Sequence, residues 1–449
     1  MKTKRTICGA LALLLSCLCG LGLAQDEAVK MVLEILKSGE QEMQTVAIAM
    51  VKDMPGAEVT KALAAELPNL SPTSQVQLLS ALGDRGDAAA LPAVVTAARA
   101  EDQSVRIAAL RALGQLGDDT TVTLLAGAAA GARGAEQKAA RDSLYRLRGP
   151  KVDQVILDEI PKSEAPVKVE LISGVGRRNI SAGVAPLLKM AKDPDRKVRT
   201  ESFRVLKVVA APEHLPALVQ LLIEAGSSSD RSECQKTVAA VAHRIEDRNK
   251  QAQAVLAALP EVKQTQGRCA LLGVLGKIGD RTSLPVLTAA LKDKNPEIQT
   301  AAVRSLAEWP TPEPIADLQK VAEGSDNKLH RILALRGFVR LLALESKRPA
   351  EETLELYKKA MSLAPDVGEK RRVLSGLANA RSRGALEMAT AYLEDKSLSR
   401  EAEYAVVRIA EGIAADFPEL AKDTLKKTIE RTKNDTLRDQ AQEILDKME

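Results

Sequence analysis

Asp102-Gln103-Ser104-Val105-Arg106-Ile107-Ala108-Ala109-Leu110-Arg111-Ala112-Leu113-Gly114 is the stretch on which the fold class turns. An Asp at its head accepts the free backbone N–H groups of a first helical turn, and the apolar residues that follow recur at three- and four-residue spacing. The stretch therefore predicts a capped amphipathic helix. The same design returns at Asp195-Arg196-Lys197-Val198-Arg199, which leads into Phe203-Arg204-Val205-Leu206, at Asn295-Pro296-Glu297-Ile298-Gln299, and at Asp326-Asn327-Lys328-Leu329-His330-Arg331. A shorter helix accompanies each one. Its mark is a proline near the start, as in Leu91-Pro92-Ala93-Val94-Val95, Ala185-Pro186-Leu187-Leu188, Leu215-Pro216-Ala217-Leu218-Val219 and Leu284-Pro285-Val286-Leu287. Proline is tolerated there because a first-turn residue has no intrahelical partner for the missing N–H. Pro186 and Pro216 stand 30 residues apart, one period.

In that frame the chain reads as about 13 helical hairpins of roughly 33 residues from Asp26 to Met448, within the range of helical repeat arrays. No stretch shows the period-two alternation of β-branched and aromatic residues that a sheet needs. Aromatics are only 2% of residues, so alanine at buried positions must let neighbouring helices approach closely.

The amino terminus has a different character. Lys2, Lys4 and Arg5 precede an apolar run from Ile7 to Leu23 that ends in Gly22-Leu23-Ala24 before Gln25, the order of charge, apolar core and small-residue exit of a secretory signal over residues 1–24. An uncleaved anchor is the alternative, but this run is interrupted by Gly9, Gly20 and Gly22 and falls short of the ~20 residues that cross a bilayer. Leu14-Leu15-Ser16-Cys17 loosely matches a lipoprotein signal, although apolar residues continue past the cysteine. The expected destination is the periplasm or the extracellular space, with no membrane span after cleavage. Loss of the segment removes three of 64 basic residues and leaves 61 against 60 acidic ones. A balanced chain poor in aromatics offers neither the dense Lys/Arg surface that phosphate backbones require nor stacking platforms for bases, so nucleic acid is not expected as a partner. Cys8, Cys17 and Cys19 fall in the signal, and Cys234 and Cys269 on repeat helices are read as two free thiols.

Asp-x-x-Val-Arg followed by Ala-x-x-Ala-Leu-Gly, as at Asp102 to Gly114, resembles the HEAT repeats of the bilin-lyase type within the ARM/HEAT superfamily. The likeness implies an all-α fold, a right-handed α-α superhelix forming one HEAT-like solenoid. The prolines at 310 to 314, which interrupt the repeat rhythm, mark the boundary between N-terminal repeats over residues 25–309 and C-terminal repeats over 310–449 that continue the same solenoid. Glu308-Trp309-Pro310 with Pro312 and Pro314, Leu333 to Leu341, and Ala405-Val406-Val407-Arg408-Ile409-Ala410 are similar to repeat segments of exported bacterial proteins. In some of those relatives the segment adjoins a β-sandwich acting on keto-sugars or other glycans. Here the helical pattern runs to the final residues, so any glycan role is expected to be indirect.

Little in the sequence points to chemistry. His214, His243 and His330 lie in different repeats, and none begins the His-Glu dipeptide on which the di-iron hydroxylases of this superfamily depend, for Leu215, Arg244 and Arg331 follow them. No metal or other cofactor is expected. There is no Gly-x-Ser-x-Gly elbow, no phosphate loop and no cysteine with a neighbouring base. The carboxylates are evenly scattered, as on solvated helix faces.

Two features remain as candidates. Aligned second helices place Arg111, Arg204, Arg304 and Arg336 at one repeat position, with Arg106, Arg199, Gln299 and Arg331 five residues earlier. Such columns either bond carbonyls and aspartates of adjacent repeats, or, for the later column, receive an acidic or extended peptide. Trp309, the only tryptophan, sits beside Pro310, Pro312 and Pro314, where it is either an elbow that covers one hairpin or a binding anchor. The expected function is a noncatalytic exported scaffold for a protein partner in the periplasm or cell envelope. The alternatives are an accessory module of a glycan-processing complex and a lyase or chaperone-like activity in the concave groove.

Overall fold

A computed structural model describes residues 22–38, 40–51 and 54–448, so most of the predicted signal, residues 1–21, lies outside the described residues. The chain divides into two compact units that meet in sequence at Ala210 and Ala211. Both are built from helices alone among the described residues.

The first unit holds α1 (Gly22–Lys37), α2 (Gln41–Val51), α3 (Ala57–Ala65), α4 (Pro72–Arg85), α5 (Leu91–Ala97), α6 (Gln103–Leu116), α7 (Val122–Gly131), α8 (Gly134–Arg146), α9 (Val152–Glu159), α10 (Ala165–Arg178), α11 (Val184–Met190) and α12 (Arg196–Val209). The second holds α13 (Leu215–Glu224), α14 (Ser228–Ala242), α15 (Gln253–Ala258), α16 (Thr265–Ile278), α17 (Leu284–Ala290), α18 (Pro296–Ala307), α19 (Ile315–Gly324), α20 (Lys328–Leu342), α21 (Ala350–Leu363), α22 (Val367–Leu377), α23 (Arg383–Thr390), α24 (Ser399–Ile413), α25 (Pro418–Arg431) and α26 (Asp435–Asp446). Odd-numbered helices open a hairpin and even-numbered helices close it, which gives 13 hairpins among the described residues. This agrees with the repeat count in the sequence.

Helix starts follow from the capping residues. Asp102 and Asp195 each accept two backbone N–H groups of the turn they open, and Asn295 and Asn327 accept one each. Several opening helices are entered through a 3-10 turn headed by an aspartate, at Asp87, Asp118, Asp247 and Asp280, whose side chain accepts the N–H two residues on. Asp280 is nearly buried and also accepts the N–H of Ala252 at 3.0 Å, so one cap joins two successive repeats.

Within each unit the closing helices pack side by side: α2, α4, α6, α8, α10 and α12 in the first, α14 through α26 in the second. Their shared faces form the core, with Leu78, Leu82, Leu110, Leu113, Leu144 and Leu206 fully buried in the first unit and Val238, Leu275, Leu306, Phe338, Leu374 and Val406 in the second. Close approach depends on small residues. A Cβ added to Gly337 on α20 would lie 2.4 Å from Ala307 Cβ on α18, so those helices meet where only a hydrogen fits.

The proline cluster after Trp309 lies inside the second unit, and α18 packs on α20 across it. Pro310 folds onto Gly279, which has φ 69° and whose added Cβ would stand 2.2 Å from the proline Cγ. Glycine is required there twice, by the left-handed backbone and by the proline ring.

Candidate functional site

The earlier arginine column is occupied by the fold itself. Arg106 donates through Nη1 to the carbonyls of Ala100 and Glu101 at 2.9 and 2.8 Å, and Arg199 does the same to Asp193 and Pro194 at 2.9 Å each. Gln299 reaches Asp293 O at 2.7 Å and Arg331 reaches Ser325 O at 2.7 Å. Arg231 and Arg438 repeat the move on Ala225 and Thr432. In each case a side chain one turn into a closing helix folds back on the carbonyl six residues upstream, which fastens the turn between the two helices of a hairpin. Arg106 also holds Glu136 of the next repeat at 2.7 and 3.0 Å. This bond outweighs burial and keeps the Glu136 carboxyl below the usual glutamate range.

The later column is exposed at all four positions, with two different fates. Arg204 pairs with Glu201, its Nε donating at 2.7 Å, and Ser173 Oγ donates to the same carboxylate. Burial pushes the Glu201 carboxyl up, but the bonds from Arg204 and Ser173 prevail and hold it below the usual range. Arg336 makes a two-pronged contact with Glu369, a carboxylate only 5% exposed, at 2.5 to 3.2 Å. Arg111 and Arg304 stand in solvent with no ion pair or hydrogen bond from their guanidinium groups among the described residues. In the first unit, Arg141 on α8 closes on the buried Glu170 of α10 at 2.5 and 2.7 Å, and Ser173 of α10 in turn donates to Glu201 of α12.

A third set of arginines escaped the column alignment. Arg85, Arg178 and Arg340, in the last turn of α4, α10 and α20, donate to carbonyls at the end of the preceding closing helix: Val51 at 2.8 Å, Tyr145 and Leu147 at 3.1 and 2.8 Å, and Ala307 at 2.7 Å together with Trp309. Aligning helices by their last turn instead of their caps brings these three together.

Trp309 is fully buried. Its carbonyl is held by Arg340, and its Nε1 is a buried donor with no partner among the described residues. The anchor reading is corrected accordingly: an indole with no exposed surface cannot dock a partner, and it fills the elbow instead.

The histidines are likewise used locally. His214 Nδ1 lies 3.1 Å from the Ala211 N, His243 Nε2 lies 3.0 Å from Ile278 O, and the nearly buried His330 lies 2.8 Å from Thr300 Oγ1, where burial lowers its pKa. Among the described residues no group of three or more His, Cys, Asp or Glu side chains stands close enough to hold a metal ion.

Cys234 and Cys269, the two cysteines among the described residues, are free. Cys234 is fully buried, with its Sγ 3.6 Å from Leu218 O, and burial pushes its thiol up to about 12; Cys269 is half-buried and raised less. Iodoacetamide at mildly alkaline pH is expected to label Cys269 first, with Cys234 reacting only as the second unit unfolds. Mass spectrometry of timed digests reads the order, and equal rates for the two thiols would refute the buried placement of Cys234.

A family model described as HEAT repeats matches residues 60–144 and 252–337. A search of curated proteins finds no match. Among solved structures, the karyopherin Kap121p bound to the extreme C-terminus of the protein phosphatase Cdc14p is similar at 11% identity and a TM-score of 0.56, over 94% of this chain and 53% of that one. Kap121p bound to Nup53p gives the same values, and yeast importin-beta (Kap95p) is similar at 12% identity and a TM-score of 0.54, over 97% of this chain and 70% of that one. The chain spans about half the length of the Kap121p structures it matches. At such identities the likeness concerns the fold alone, an all-α stack of HEAT-like helical hairpins, and HEAT repeats are matched over residues 60–144 and 252–337. No helix among the described residues is long and apolar enough to cross a membrane.

Proposed function

We propose that the protein is a noncatalytic scaffold, exported to the periplasm or cell envelope, that holds a protein partner on the exposed faces of its closing helices. A repeat stack suits this role because each hairpin adds surface without requiring a larger core. The observation that carries the reading is the pair Arg111 and Arg304. They share one repeat position with Arg204 and Arg336, yet no carboxylate engages them, whereas most other arginines on the closing helices are tied to a carbonyl or an acid. Guanidinium groups left free among such paired neighbours are placed to meet carboxylates from outside. Kap121p, similar in fold, is seen bound to Nup53p, which illustrates how such repeats engage protein. The export segment is supported by the charge order and apolar run of residues 1–24.

The test is affinity capture with the chain from Gln25 onward, from the envelope fraction of its own host, beside an Arg111→Gln/Arg304→Gln variant. One partner that binds the wild type and is lost from the variant, with the melting temperature unchanged, is the expected result. Equal capture by both forms would remove the arginines from the interface, and turnover of a substrate by the isolated protein would overturn the noncatalytic reading.

A further inference from the structure

In the second unit, Arg340 closes the carbonyl end of α18, but the next two junctions lack a corresponding arginine. Just past the end of α22 stands Asn379, whose amide turns back to Gly376 O at 3.2 Å, and the last turn of α24 carries Glu411-Gly412. Without that closure a cleft of about 950 Å³ opens along the ends of α20, α22 and α24, lined by Leu342 to Ser346, Ala378 to Ser382, and Arg408, Glu411 and Gly412. Its volume falls within the ~300–1,000 Å³ common for ligand sites.

Three arginines line this cleft. Arg348 enters from the segment before α21, Arg381 from the turn after α22, and Arg408 from α24. No carboxylate lies within ion-pairing distance of any of them among the described residues, and Nη1 of Arg348 is a buried donor with no hydrogen-bond partner. Gly412 gives Arg381 its place, since a Cβ there would lie 3.0 Å from Arg381 Cγ and 3.7 Å from its Nε. Arg85, Arg178 and Arg340, at the ends of other closing helices, are consumed by the fold. Here three converge on open space.

We propose that this cleft receives the carboxylates of an acidic peptide segment belonging to the scaffold's partner, an inference that rests on the scaffold reading and adds a second, chemically specified contact to it. Planar guanidinium forks match carboxylates two bonds at a time, and converging ones gain from the same group. Glu345 and Glu411 share the lining. Two acids beside three arginines repel a dense polyanion and favour a chain that carries a few spaced carboxylates.

The probe is a fluorescein-labelled peptide of alternating glycine and glutamate, titrated into the full chain at low salt and followed by anisotropy. Saturable binding is expected. It should weaken at least about tenfold in Arg381→Gln/Arg408→Gln, as the loss of charge-assisted hydrogen bonds requires. Gly412→Leu, which displaces Arg381 without removing charge, should weaken it too, and a glutamine version of the peptide should not bind. The Arg111→Gln/Arg304→Gln variant should bind the peptide as the wild type does, so failure here and failure of the scaffold reading are read in separate experiments. Absent saturation, or equal affinity in Arg381→Gln/Arg408→Gln, would overturn the site. Displacement by inorganic phosphate as readily as by unlabelled peptide would overturn the peptide assignment, leaving a phosphate site.

Discussion

Trp309→Ala is expected to destabilise the second unit by about 3–5 kcal/mol, the cost of emptying a fully buried large side chain from a close-packed interior. Trp309→Phe should cost far less. The phenyl ring keeps much of the contact area, and the change removes an indole N–H that is buried without a partner, a defect worth about 1–3 kcal/mol in its own right. The two variants therefore separate volume from polarity at one site. Urea unfolding followed by far-UV circular dichroism is the measurement, because both changes abolish the only tryptophan signal. Repeat stacks unfold in more than one step, so the comparison belongs to the transition of the second unit and not to a single global midpoint. An unchanged transition in Trp309→Ala together with loss of partner capture would restore the anchor role that burial argues against.

The contrast between Trp309 and the helix caps shows which part of the molecule was legible. Asp102, Asp195, Asn295 and Asn327 act on N–H groups two or three residues away, so their sequence context contains the whole interaction. The hairpin count follows from the same local rule. Glu369, which Arg336 holds, stands 33 residues downstream, and Glu136, which Arg106 holds, stands 30 downstream. A column of arginines in an alignment does not reveal which carboxylate of the next repeat each one meets, or that Arg111 and Arg304 meet none. Trp309 was ambiguous for a related reason: a lone aromatic beside prolines has the same sequence whether it faces in or out. The cleft was least legible, because Arg348, Arg381 and Arg408 occupy three different repeat positions and only the ends of α20, α22 and α24 bring them together.

Arg204→Met provides a test of whether the paired half of the later column is structural, and pH is the handle. In the native protein the Glu201 carboxyl is held below the usual glutamate range although burial opposes ionisation, because Arg204 and Ser173 bond its charged form. A lowered folded value means that Glu201 contributes stability above its unfolded pKa and loses it as the pH falls through the folded one. Methionine keeps the length and packing of the arginine stem but removes both guanidinium bonds. Burial then dominates and the carboxyl titrates higher. At neutral pH the variant is expected to be less stable than the wild type by about 2 kcal/mol, since a mostly buried carboxylate, 14% exposed, has lost its main partner. The gap should narrow in acid, where the wild type also loses its ionised Glu201 and both proteins carry the neutral group. Because Arg204 is itself 53% exposed, water replaces part of what the arginine gave, and the full loss of a buried ion pair is not expected. Thermal melts of both proteins across the acidic range read the difference directly. A gap that is absent at neutral pH, or that stays constant on acidification, would mean that Glu201 does not depend on Arg204 and would return Arg204 to the set of guanidinium groups free to meet a partner.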